Sequence, residues 1–128
     1  MSEVELVEEI LRQVLSATRT IARRCAPIAS AEDFVSSEAG LEKLDAICMQ
    51  LIAIGEGIKH LDRITGGTLL PRYPQVEWTR VMGMRDVLTH HYFDLDAEVV
   101  YSVCAHHIGV LERTVEVVLA DLAPHCSG

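Results

Sequence analysis

Arg85, Asp86, Thr89, His90 and Tyr92 place a fixed cation, a carboxylate, a hydroxyl, a titratable ring and a phenol within eight consecutive positions. A guanidinium presents a planar fork of donors that fits the non-bridging oxygens of a phosphate. An imidazole takes up and returns a proton near neutral pH. Together they suit phosphate chemistry. Asp86 and His90 are four apart, so on one continuous helix the carboxylate lies beside the ring and favours its protonated form. Arg85 and His90 are five apart, which on an ideal helix means a Cβ separation of roughly 10 Å and bearings that diverge by about 140°. One phosphate is therefore shared by both only if the side chains fold inward, if the helix loosens near His90, or if a second copy lends its own pair. Tyr92, seven after Arg85, returns to the arginine's side.

The stretch that must position them reads as a helix, with Val81, Met84, Val87, Leu88 and His91 on one side and Arg85, Asp86, Thr89 and His90 on the other. Arg85, four residues, His90, one residue and Tyr92 form R-x4-H-x-Y, which resembles the signature of HEPN ribonucleases. The setting resembles the HepT-like toxin branch of that superfamily. Ile54-Gly55-Glu56 stands on the preceding helix, Trp78 and Gly83-Met84 lead in, and Tyr92-Phe93-Asp94-Leu95-Asp96 leads out. The short signature alone arises often by chance. The order of its flanks, over nearly the whole chain, carries the resemblance.

The resemblance implies an all-α, HEPN-like homodimer that cleaves RNA as a metal-independent endoribonuclease, with no cofactor. Arg85 would offset phosphoryl charge and His90 would act as base or acid. Asp86 would orient the ring, Thr89 would add a lesser hydrogen bond, and Glu56 would position Arg85 or its neighbours. It also implies a type II toxin-antitoxin pair in which a cognate minimal nucleotidyltransferase antitoxin attaches AMP to Tyr92. An alternative is a non-catalytic nucleotide- or substrate-binding partner of such a nucleotidyltransferase. A purely structural dimerisation bundle would leave the polar side of this helix unexplained. The chain departs from the family at Gly57, where a small helix former such as alanine is common.

The 128 residues suffice for one domain with a sizeable core, and 49% hydrophobic with only 5% aromatic residues favours packed helices over an aromatic-rich β-sandwich. A formal charge of −8 and a pI near 5.1 argue against nonspecific nucleic-acid binding by the surface as a whole. Between positions 59 and 85, however, Lys59, Arg63, Arg72, Arg80 and Arg85 face only Asp62 and Glu77. This reads as a local basic track leading to Arg85 or as solvated helix edges and a loop. Cys25, Cys48, Cys104 and Cys126 make no CxxC pair, and the amino terminus does not resemble a signal peptide. Reduced thiols, a cytoplasmic location and no membrane partner are expected, since no apolar run reaches bilayer length.

Ser2 and Glu5 form a capping box for a first helix reaching about Arg24, with Val4, Val7, Leu11, Val14, Thr18, Ile21 and Cys25 inward. A single turn is expected around Phe34. Leu41, Leu44, Cys48, Leu51, Gly55, Ile58 and Leu61 mark a second long helix, stopped by Gly66-Gly67. Gly55 and Gly57 each cost it roughly 1 kcal/mol relative to alanine, which points to the close approach of another helix. Glu56 between them reads as a surface or salt-bridged carboxylate, or as part of a site.

From Thr68 to Pro74 a loop is expected, with Arg72 and Tyr73 either rimming a cleft against phosphate and base or belonging to a rigid linker. Trp78 anchors a third helix running to Tyr92. Asp96 caps a fourth, with Val99, Val100, Val103, His107, Leu111, Val115, Val118 and Leu122 buried. His106 and His107 would pair with Glu56 and His60 in a metal reading, but no ligand spacing across helices is visible and no metal site is expected. The expected architecture is an antiparallel bundle of four to five helices.

Overall fold

The computed structural model describes residues 2–90 and 96–123, and of Thr89 and His90 the backbone alone. The described residues form α1 (Glu3–Cys25), α2 (Glu32–Val35), α3 (Glu38–Ile64), α4 (Trp78–His90), α5 (Ala97–His106) and α6 (Ile108–Leu122), with a 3-10 turn at Leu70–Arg72 and no strand. Long helix α3 lies between α1 and α4, and α1 carries α6 on its other side. The neighbour order is thus α4, α3, α1, α6. Short α2 packs on α3 through Phe34, which is fully buried.

Local chemistry sets the helix ends. The Ser2 hydroxyl accepts from the Glu5 N–H at 3.1 Å while the Glu5 carboxylate accepts from the Ser2 N–H at 3.3 Å, so the capping box opens α1 as its spacing predicts. Ser37 caps α3 by accepting from the Gly40 N–H at 3.0 Å. At its far end Gly66 and Gly67 adopt φ of +63° and +73°. Their N–H groups donate to the carbonyls of Arg63 at 3.1 Å and Asp62 at 2.9 Å, a Schellman closure that residues with a Cβ resist. The Asp96 carboxylate accepts from the N–H groups of Glu98 and Val99, capping α5.

The expected fourth helix is two helices. It stops at His106 and resumes at Ile108, with His107 at φ −120° and ψ −30°. Gly109, in the first turn of α6, is a weak helix former. His107 is exposed rather than buried, and Ile108 takes the inward place in a line with Val100, Leu111, Val115 and Val118. Val99, expected inside, is half exposed. So is Val87, because among the described residues α4 packs chiefly on α3.

The loop before α4 closes the end of the bundle. Leu69, Leu70 and Tyr73 are buried. The Tyr73 hydroxyl donates to Asp121 of α6 at 2.7 Å, and the Trp78 indole N–H donates to the Tyr73 carbonyl at 2.8 Å. Of the two readings of this loop, the 6% exposure of Tyr73 is the burial expected of a rigid linker. Trp78 is buried as the expected core anchor.

Burial first, then the hydrogen bond to Asp121 and its negative charge, raise the Tyr73 phenol above its ordinary 10.0. A raised folded-state pKa adds stability that is whole below pH 10.0 and is lost as pH rises through the raised value. Tyr73→Phe should cost about 1 kcal/mol at neutral pH, the exposed Asp121 keeping the loss small. Urea unfolding of both proteins at neutral pH and above pH 10 should show the gap closing only in alkali; a gap that does not change with pH would contradict the assignment.

Among the described residues no helix is long and apolar enough to cross a membrane. Cys25, Cys48 and Cys104 are free thiols.

Candidate active site

Two glycines of α3 face in different directions. A Cβ at Gly55 would lie 2.9 Å from the Val81 carbonyl oxygen and 3.5 Å from the Arg85 nitrogen, so α4 crosses α3 at backbone range. A Cβ at Gly57 would instead lie 3.3 Å from a Val14 methyl of α1. Glu56, about 100° from each on the helix, faces neither neighbour and is half exposed. The close crossing brings Arg85 to it, with Nε 2.8 Å from Oε1. Arg85 Nη1 lies 3.4 Å from Asp86 Oδ1. Arg85 and Glu56 are each 50% exposed, and pairs in such positions contribute roughly 0–1 kcal/mol. The contact therefore matters for placement more than for stability: it holds a planar cation over the edge of α3, where an anion can approach.

Thr89 and His90 complete α4. Their side chains, and all of His91, Tyr92 and Phe93, lie outside the described residues. Asp86, expected to orient His90, is found beside Arg85.

The basic run separates into different faces. Arg80 is paired with Glu77 at 3.2 Å and, five residues before Arg85, points about 140° away from it. Arg72 lines a cavity of about 300 Å³ with Thr65, Thr68 and Leu122, and neither Arg85 nor Glu56 belongs to it. Thr65 is nine residues beyond Glu56, about 14 Å along the helix axis. Lys59, His60 and Arg63 are exposed and fall on the side of α3 that carries Glu56. That shared face follows from the helical period counted from Glu56, a signal that a count of charges along the chain misses. His60, His106 and His107 are all exposed, and among the described residues no three His, Cys, Asp or Glu side chains group as a metal ion would need.

The family model described as Ribonuclease HepT-like matches residues 6–118. The chain belongs to that family. Its all-helical bundle agrees with the HEPN-like fold that the sequence resemblance implies. Three relatives carry names of candidate RNases. TTE0752 of Caldanaerobacter subterraneus subsp. tengcongensis is 30% identical over 90 residues, covering 70% of this chain and 74% of its own. MJ0127 of Methanocaldococcus jannaschii is 29% identical over 77 residues, and the chain spans 60% of that relative's length as well as 60% of its own. MJ0125 of the same organism is 26% identical over 91 residues, 71% of this chain and 72% of the relative. No solved structure matches.

Proposed function

We propose that this HepT-like chain is a metal-independent endoribonuclease, the toxin of a type II toxin-antitoxin pair, acting as a homodimer through Arg85 and His90. The observation that carries the reading is the Arg85 guanidinium held by Glu56 at the open edge of α4, in a member of a ribonuclease family.

Strand cleavage needs a base to remove the proton of a ribose 2′-hydroxyl. The freed oxygen then attacks the adjacent phosphorus, the bond to the 5′-oxygen breaks, and an acid returns a proton to that oxygen. A 2′,3′-cyclic phosphate and a 5′-hydroxyl result. His90 serves as base or acid, and Arg85 offsets the charge that grows on the non-bridging oxygens. A second copy answers the divergence of Arg85 and His90 by lending its own pair to one cleft.

Tyr92 is the proposed site of AMP attachment by a cognate minimal nucleotidyltransferase, since added phosphate charge near Arg85 would repel RNA and occupy the cation. Wild type should cleave RNA equally with and without EDTA, while His90→Ala should lose about 100-fold or more. Tyr92→Phe should keep cleavage yet escape silencing by the antitoxin. Cleavage undiminished in His90→Ala would move the reading to the non-catalytic partner of a nucleotidyltransferase. Full silencing of Tyr92→Phe through modification would remove the tyrosine from the scheme.

A further inference from the structure

The exposed face of α3 changes character at Glu56. Toward the start of the helix it carries Met49 and Ala53, which are apolar and exposed, and then the exposed acids Asp45 and Glu42, about 20° and 40° from Glu56's bearing. Beyond Glu56 it carries Lys59, His60 and Arg63. With about 100° per residue, Arg63 lies about 20° and Lys59 about 60° to one side of Glu56's bearing, and His60 about 40° to the other. Asp62, the one acid among residues 57–64, is about 120° away and partly buried. Among the described residues no ion pair holds Lys59 or Arg63, as is also true of Arg23, Arg24, Lys43, Arg72 and Arg113; what sets the two apart is their place one turn apart on the face that carries Glu56. On a chain of net charge −8, two cations with an imidazole on one helix face form a local basic patch that a polyanion would find.

We infer that Lys59 and Arg63 hold the backbone phosphates of a single RNA strand next to the bond cut at Arg85, which makes this face of α3 the substrate's path into the site. The inference rests on the nuclease reading. A single strand fits because the cations form one row, a helical turn apart, in line with the Glu56-anchored guanidinium. A duplex would need a second row across its groove, and Arg80, the cation of α4 next to Arg85 in sequence, points away and is bound to Glu77. The strand leads away from Asp45 and Glu42, whose carboxylates repel phosphate at the other end of the face.

The test is the double variant Lys59→Gln/Arg63→Gln against Arg23→Gln/Arg24→Gln, which removes the same charge from the end of α1. Binding of a short labelled single-stranded RNA is followed by anisotropy over a salt series in proteins that also carry His90→Ala, and turnover is measured without that change. Losing two phosphate contacts should flatten the slope of log K against log salt by about 1.4 and raise KM about tenfold, with kcat within about twofold of wild type. The α1 control should keep the wild-type slope and KM. If wild type cleaves RNA and the α3 variant keeps its slope and KM, or the control changes equally, the path is overturned and the nuclease reading stands. If wild type neither binds nor cleaves RNA, both fall.

Discussion

Replacing Arg85 with alanine is expected to cut RNA turnover by about 100- to 1,000-fold, the loss typical when a donor aimed at developing oxyanion charge is removed. The effect should fall mainly on kcat, because charge on the non-bridging oxygens is largest in the transition state and a cation already in place costs no reorganisation then. Half exposure of the guanidinium places the loss at the lower end of the range, since water screens part of the charge.

Arg85→Lys should recover only part of the rate. It keeps the charge but loses the planar fork and the Nε contact with Glu56 at 2.8 Å. Glu56→Gln tests placement separately: an acceptor oxygen remains, the anchoring charge is gone, and a roughly tenfold fall in kcat is expected with stability almost unchanged. Initial rates on one RNA, beside thermal melts of each variant, separate these outcomes. Should Arg85→Ala keep more than about a tenth of wild-type turnover, the cation is not the group that stabilises the reaction.

What could be read from the chain divides by the range of the interaction. The Ser2 and Glu5 capping box and the paired glycines that end α3 act within a few residues, so they stand in the sequence as they do in the fold. Gly55 was legible as a close approach because a helix tolerates glycine at a cost that packing must offset, though which helix approaches is a tertiary fact. The break at His107 was not legible, since a buried line drawn through Val103 and His107 fits the helical period almost as well as one through Ile108. The sequence left Tyr73 with two readings for a related reason. Prolines announce a loop, but its inward turn depends on Asp121, 48 residues away. At the site, the meeting of Glu56 and Arg85 depends on the α3–α4 crossing, while the separation of Arg72 and Arg80 from it depends on bearings that a linear run of charge does not carry.

The crossing itself supplies the other large effect, in which two glycines two residues apart should respond in opposite ways to the same substitution. Gly55→Ala gains about 1 kcal/mol of helix propensity but sets a methyl 2.9 Å from the Val81 carbonyl oxygen, a backbone atom that cannot rotate aside. Forcing α4 outward costs about 1–3 kcal/mol in such overpacked sites, which after the propensity gain leaves a net destabilisation of up to about 2 kcal/mol and a Tm lower by up to about 8 °C. At Gly57 the obstacle is a Val14 methyl at 3.3 Å, which yields by a small side-chain shift, so Gly57→Ala should leave the melt unchanged or raise it by a few degrees, about 0–0.5 kcal/mol.

Activity sharpens the contrast. The Arg85 nitrogen is 3.5 Å from the position of the new Gly55 methyl, so an α4 displaced there carries the guanidinium away from Glu56. Turnover of Gly55→Ala should therefore fall well below that of Gly57→Ala even at temperatures where both are fully folded. Equal melts and equal rates for the two variants would mean that α3 and α4 meet with room to spare, and that Glu56 does not depend on the crossing to reach Arg85.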